Sequence, residues 1–450
     1  MAIIDTSTRG TIAPLVAPPV SLHDSRPAPR RGAFDTDVAI LGLGYVGLPT
    51  ALAYQAAGSS VLGIDISAGR LGDIRAGAVD LIPRDRERLH EALGAETIEL
   101  TGDLSQLSRA RAVVVCVPTP VDRYLVPDLT MLRAACAAVV QHAVPGQLLM
   151  LTSTTYVGCT ADMLLDPVTR KGMVAGRDIF IAFSAERIDP GQESVSQEAV
   201  PRVVGGATAA CVERAAEVLG AYADEVHPVP SLGTAEMTKL LENTFRAVNI
   251  ALVNEFADIC RTLDIEVMDV IEAAATKPYG YMPFTPSAGV GGHCIPCDPH
   301  YLLWQLRKDR VEAPMIGQAM QSIANRPTHV VERIRELLSE RGRSLTGSRI
   351  LVSGVAYKPG VADLRESPAL EIMQRLRTLG ASVGYVDPHI PSLVLDGVEM
   401  RPVQNPATFH PTLVLLHTAH PEASLDWIRP DQLVLDATYR ATGIANLVTL

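Results

Sequence analysis

The chain has no excess of positive charge, no cysteine framework and no long apolar run. Its 450 residues carry a formal charge of −11 at pH 7, which argues against a general nucleic-acid binder, although helix N-termini and a few local cations can still hold anionic ligands. No apolar stretch of about 18 or more residues goes uninterrupted by polar groups or proline, so no membrane span is expected. The seven cysteines are odd in number and sit mostly inside apolar runs. They fit a reducing cytoplasm better than a disulfide scaffold. Residues 1–35 lack a regular apolar period and are rich in proline, serine and arginine, which reads as a disordered tail. As a signal peptide this tail is poor: its basic residues follow its short apolar patch, and Pro14, Pro18 and Pro19 interrupt that patch. The remaining chain has an ordinary apolar content and enough length for two or three filled cores.

What is present begins with Val38-Ala-Ile-Leu41, a short apolar run ending in Gly42-Leu-Gly44-Tyr45-Val46-Gly47, an alanine-rich stretch through Ala57, and a second run closing at Asp65. The pattern is strand, tight turn, helix, strand. Further apolar runs at 112–117, 148–151 and 179–183 alternate with helical segments, as a doubly wound parallel sheet requires. This first domain is expected over 36–205. From Ser231 to Leu263 a long proline-free helical pattern predicts a helix of about 45 Å, more than one small domain needs. It is expected to bridge two domains within a central unit at 206–325, and to carry a subunit interface. The alternation resumes over 326–450, where Arg349–Gly354, Ser367–Leu379 and Ser382–Asp387 repeat the first unit faintly without its three glycines. There a nucleotide should be handled with cations in place of a bare turn. The fold class is therefore α/β, with two Rossmann-like doubly wound domains joined by a central helical domain with a long connecting helix.

In the glycine motif the first glycine permits the turn, the second lets backbone approach a pyrophosphate, and the third lets helix pack on strand. Eighteen residues on, Asp65 can bind ribose hydroxyls and repel a 2′-phosphate, which favours NAD over NADP; Arg70 stands nearby as a counter-argument. Lys239 and Asn243, four apart, share a helix face and could stabilise an oxyanion, or lie on a solvated surface. Cys294 and Cys297 form a C-x-x-C on a glycine-lined loop with three readings: a zinc site using His293 and His300, a dithiol, or a catalytic thiol at Cys294 with Asp298 as partner base. No second C-x-x-C supports zinc. Glu186 and Thr154 each follow an apolar run, where parallel sheets place ligand-facing residues or helix caps. Lys358 and Arg365, beside Asp363 and Glu366, could hold a diphosphate or form internal ion pairs.

Together these segments resemble the UDP-glucose/GDP-mannose dehydrogenase family from about Val38 to Leu450. Thr276–Phe284, Gly291–Pro296, Glu186–Gly191 and Gly354–Lys358 are most similar to its UDP-N-acetylglucosamine 6-dehydrogenase branch. The resemblance implies an NAD-dependent four-electron oxidation of a UDP-sugar C6 alcohol to a uronate, through a thiohemiacetal and a thioester on Cys294, with Lys239 and Asn243 stabilising oxygen charge, Asp298 assisting proton transfer, and Thr154 and Glu186 serving the hydrolytic water. It implies cofactor contacts at Gly42, Gly44, Tyr45, Val46, Gly47, Asp65, Arg70, Pro118, Thr119 and Thr154. Substrate contacts are implied at Glu186, Arg187, Lys239, Asn243, Arg246, Gly291, Lys358 and Arg365. No metal is expected, and the expected partner is a second copy of the chain in a homodimer or larger homo-oligomer. Two departures stand out. The family often has proline where this chain has Val157. UDP-glucose enzymes commonly have a second glutamate where this chain has Pro190, which points to an N-acetylated sugar, with UDP-glucose, GDP-mannose or a two-electron β-hydroxyacid substrate as alternatives.

Overall fold

The computed structural model describes residues 34–187, 196–292 and 295–450. The expected N-terminal tail, Pro190 and the pair His293–Cys294 lie outside the described residues.

The first sheet is built from β1 (Thr36–Leu41), β2 (Val61–Ile64), β3 (Ile98–Thr101), β4 (Ala110–Val115), β5 (Leu148–Leu151), β6 (Phe180–Phe183), β7 (Arg202–Gly206) and β8 (Val226–Pro228). Their order is 3-2-1-4-5-6-7-8. Strands such as β2, β4 and β5 are apolar on both faces because helices cover the sheet on both sides, and two separate apolar clusters form above and below it. The chain reverses direction of build at β1, which pairs β2 on one side and β4 on the other; in open α/β sheets the ligand crevice opens at the carboxyl ends of such strands. One step departs from the expected all-parallel sheet: β7 runs antiparallel to β6. The expected limit at 205 also falls inside β7, and the sheet continues to Pro228.

The long helical pattern forms α2 (Leu232–Thr262), after α1 (Gly47–Ala56). Ser231 starts α2 by accepting a hydrogen bond from the Thr234 amide, the ordinary role of a serine N-cap. After α2 come α3 (Val267–Ala275), α4 (Asp298–Leu306) and α5 (Pro314–Glu340). Arg326 on α5 is 2% exposed and ties three parts together. Its guanidinium donates to both Asp258 carboxylate oxygens on α2 at 2.9 Å, to the Ser287 carbonyl at 3.0 Å, and to the Tyr439 hydroxyl at 3.4 Å. The Ser287 amide donates to Asn254 on α2 at 2.9 Å. The loop that runs towards residue 294 is thus fixed to two helices at its start.

The second sheet contains β9 (Arg349–Ser353), β10 (Ser382–Val386), β13 (Leu413–Leu416), β14 (Leu433–Asp436) and β15 (Leu447–Thr449) in the order 10-9-13-14-15, with a small hairpin of β11 (Leu393–Leu395) and β12 (Val398–Met400) beside it. The faint repeat seen in the sequence is also geometric. Gly42 donates to the Ile64 carbonyl and Gly354 to the Val386 carbonyl, both at 2.8 Å. Asp65 accepts from the Leu43 and Ser67 amides, each at 2.9 Å; Asp387 accepts from the Val355 and His389 amides at 2.7 and 2.8 Å. Asp387 differs in taking three further donors: the Ala356 and Ile390 amides and His420. Burial alone would raise its pKa, but these bonds hold it down at about 2. In the second copy the carboxylate is consumed by the fold.

Candidate active site

The turn at residues 42–47 fits a dinucleotide. Gly42 sits at φ +95°, where a Cβ would meet the Cys116 carbonyl at 2.8 Å. A Cβ on Gly44 would meet nothing within 4 Å, so its backbone lies open to an approaching group. Val46 precedes α1 and offers no side-chain cap, leaving the helix N-terminus to an anion such as a pyrophosphate. Asp65 stands beside this turn, held by the two amides above. Arg70 caps nothing of its own; its Nε donates to the Leu43 carbonyl at 2.8 Å, bracing the turn. Tyr45 packs under the Arg365 guanidinium at 4.2 Å, so the cofactor turn touches the third domain. Pro118 is exposed, and Thr119 donates to the Thr154 carbonyl at 2.7 Å.

Lys239, Asn243 and Asp298 come together, all buried. The solvated-surface alternative for the first two is therefore overturned. Asn243 donates to Asp298, the first residue of α4. Burial pushes the Asp298 carboxyl up to about 6, against the Lys239 charge and the nearby Asn243 and Thr154 side chains, which favour the ionised form. Burial wins, and the group titrates near the pH at which a base must work. Tyr301, one turn along α4, donates to the Thr119 carbonyl at 3.1 Å and links this helix to the first domain.

Glu186 is anchored in an ion network of the first domain. It pairs with the fully buried Arg202, accepts from the Arg187 amide at 2.7 Å and from Thr50 at 3.4 Å. Arg187 reaches α2 through Glu242 and donates to the Pro201 carbonyl at 2.8 Å. Arg246 is exposed, one turn past Asn243. Gly291 lies against the third domain so tightly that a Cβ would meet Tyr357 at 2.6 Å and the Glu366 carbonyl at 2.7 Å. The Gly292 amide donates to the Arg365 carbonyl at 3.0 Å. Arg365 is paired with Asp363 by bonds of 2.5 and 2.9 Å, and Lys358 follows Tyr357, half-buried. Cys294, two residues past Gly292 and four before Asp298, lies outside the described residues. Cys297 is buried at the start of α4.

Three contributors went unseen in the sequence. Glu236, one turn before Lys239 on the same face of α2, accepts from the Gly158 and Thr160 amides; only that spacing hinted at it. Gln305 and Tyr357 carried no signal, since long-range contact alone gives them a role. Among the described residues His389, His420 and Glu422 group closely enough to hold an ion, but both ring nitrogens of His420 are engaged, by the Gly360 amide at 3.2 Å and by Asp387 at 3.1 Å.

A dinucleotide turn at a sheet switch point, touching the third domain through Tyr45, together with a buried lysine, amide and carboxylate, is the arrangement of a dinucleotide-dependent dehydrogenase. The comparisons place it more closely. The UDP-glucose/GDP-mannose dehydrogenase family matches with its NAD binding domain at residues 36–222, its central domain at 233–325 and its UDP binding domain at 351–439. The chain is 31% identical over 396 residues to the UDP-N-acetyl-D-glucosamine 6-dehydrogenase of Pseudomonas aeruginosa, spanning 86% of this chain and 91% of that one. It is 34% identical over 358 residues to the UDP-N-acetyl-D-mannosamine dehydrogenase of Pyrococcus horikoshii, spanning 78% and 84%. The solved structure of the UDP-D-ManNAc dehydrogenase of P. horikoshii superimposes with a TM-score of 0.83 at 28% identity, over 92% of this chain and 98% of that one. The chain belongs to the UDP-glucose/GDP-mannose dehydrogenase family and is an NAD-dependent nucleotide-sugar 6-dehydrogenase. Among the described residues no helix is long and apolar enough to cross a membrane.

Proposed function

We propose that this enzyme oxidises the C6 alcohol of UDP-N-acetylglucosamine or UDP-N-acetylmannosamine to the carboxylate in two successive oxidations, with the intermediate held on Cys294. The observation that carries this reading is the buried Lys239–Asn243–Asp298 cluster, whose carboxylate is four residues from Cys294 in the chain. Bound NAD supplies the hydride acceptor for each oxidation, with Gly42, Gly44, Gly47 and Asp65 holding it. Lys239 and Asn243 present N–H donors to the developing C6 oxyanion. Asp298, ionised above about pH 6, takes the alcohol proton. The Cys294 thiolate adds to the resulting aldehyde and gives a thiohemiacetal, which the second oxidation turns into a thioester. Water positioned by Thr154 and Glu186 hydrolyses the thioester, releasing the carboxylate and restoring the thiol. Lys358 and Arg365 hold the UDP diphosphate.

The N-acetylated substrate is favoured by Pro190 in place of a second glutamate and by the names of the relatives above. An NADH-release assay across UDP- and GDP-sugars tests it: two NADH per sugar are expected, and one NADH per sugar with an active Cys294→Ala variant would refute the thioester route. The enzyme is read as a homodimer, because α2 bears an exposed apolar stripe of Met237, Leu241, Leu252, Phe256, Ile259 and Leu263, with Leu241 65% exposed. Residues at this spacing line one helix face, and such faces are covered in assemblies. The buried thiols suit a cytoplasmic location.

A further inference from the structure

We propose that Gln305 is a positioning residue for the oxidation, acting through a two-point clamp on the backbone of Val157 that fixes the Thr154 loop between the helix of Lys239 and Asn243 and the helix of Asp298; this rests on the reading of Asp298 and Thr154 given above. The Val157 amide donates to Gln305 Oε1 at 3.0 Å, and Gln305 Nε2 donates back to the Val157 carbonyl at 2.7 Å. A side-chain amide offers one acceptor and two donors, so a single residue satisfies both backbone groups. Where the family often has proline the first of these bonds could not form, because proline has no amide hydrogen. A relative with proline at that position therefore lacks the first half of the clamp.

Its location gives it a consequence. Gln305 lies seven residues after Asp298 on α4, two turns along the same helix. Val157 lies three residues after Thr154. The turn is also pinned from the other side: Glu236 on α2 accepts from the Gly158 amide at 2.6 Å, the Thr160 amide at 2.9 Å and the Thr160 hydroxyl at 2.7 Å. Glu236 is 1% exposed and sits on the helix face that continues to Lys239 and Asn243. One loop is thus fastened both to the helix bearing Lys239 and Asn243 and to the helix bearing Asp298. Tyr156 adds an edge-on contact with Trp304 at 5.7 Å. Releasing the Gln305 side leaves the loop bonded to α2 and held to α4 only through the Tyr156–Trp304 ring contact and Thr119, so Thr154 loses its fixed place beside Asp298.

Lys239 and Asn243 from α2 and Thr154 from the loop act on Asp298, and Asp298 in turn raises the pKa of Tyr301 on its own helix. The Thr154 side chain lowers the Asp298 pKa, so its displacement should raise it.

The experiment compares the full-length wild type, Gln305→Leu, Val157→Pro and the double variant, measuring kcat, both KM values, thermal midpoint and the pH profile of kcat/KM. Gln305→Leu is expected to lower kcat about ten-fold, in line with the cost of small misplacements of catalytic groups, to leave KM for NAD unchanged, and to move the acid limb above the wild-type position. The double variant should be no worse than the poorer single, since Val157→Pro removes one of the two bonds that Gln305→Leu removes together. Unchanged kcat and acid limb in Gln305→Leu would overturn the proposal. So would a kcat loss that merely tracks a lower thermal midpoint with the limb unmoved. If Val157→Pro does not fold, Gln305→Leu alone still decides. NADH per sugar, counted in the wild type in parallel, separates failure of the clamp from failure of the four-electron reading.

Discussion

Replacing Asp298 by asparagine separates the chemistry of this carboxylate from its place in the fold. The side chain is 3% exposed, and burial carries its pKa from the ordinary 3.8 to about 6. At 1.36 kcal/mol per pKa unit, the ionised form costs the folded state about 3 kcal/mol at pH 8. Because the folded value lies above the unfolded one, the group's contribution to stability is complete below about pH 4 and is lost as the pH rises through about 6. Asparagine has nearly the same shape and can still bond Asn243 and Thr154, but it neither carries charge nor takes a proton. Asp298→Asn should therefore be at least as stable as the wild type at pH 8, since the attraction to Lys239 is already counted in the raised pKa. Its kcat should fall by about 10²–10⁴, the usual worth of a positioned base. Urea unfolding of both proteins at acid and alkaline pH reads the first effect, and the pH dependence of kcat/KM reads the second. The wild-type profile should show an acid limb near pH 6 that is missing from the residual rate of the variant. A variant retaining more than about a tenth of kcat would refute the assignment of Asp298 as the base.

Three other outcomes are expected. If α2 carries the proposed dimer interface, glutamate at both Leu241 and Phe256 places charge in its stripe and should give a monomer by analytical ultracentrifugation; an unchanged sedimentation coefficient would refute that interface. Gly291→Ala puts a Cβ 2.6 Å from Tyr357 and 2.7 Å from a backbone carbonyl, so the loop must shift, and KM for the UDP-sugar should rise at least ten-fold, about 1.4 kcal/mol. An unaffected KM would show that the loop and third domain are not held together during turnover. Asp65→Ala should raise KM for NAD by about ten-fold or more without matching use of NADP, because the carboxylate also fixes the Leu43 and Ser67 amides. Efficient turnover with NADP would show that Asp65 acts only by repelling a 2′-phosphate.

Much of the scaffold was readable because it rests on local signals. Short apolar runs predicted β1, β2, β4, β5, β6, β9 and β10 but not β3, β7, β8 or β13 to β15, and an unbroken helical period opened by Ser231 predicted α2 almost to the residue. The antiparallel β7 was not readable, since strand direction depends on which neighbour a strand pairs with. Of the cluster, Lys239 and Asn243 were visible as a helix-face pair, but their burial came from packing against α4 and the Thr154 loop, which are 55 and 89 residues away in the chain.

The sequence by itself determined the periods, caps and turns, and with them the two glycine-to-aspartate units, because those features depend on neighbours a few residues apart. The missing glycines already set the second unit apart, but the fate of the two aspartates was not readable. Asp65 and Asp387 occupy the same place after the same strand, yet only the tertiary structure brings His420 and two extra amides onto Asp387 and leaves Asp65 beside an open turn. The same holds for Asp298, whose raised pKa is a product of burial. A carboxylate's chemistry is set by the donors, charges and solvent around it, and those arrive from distant parts of the chain only when it folds.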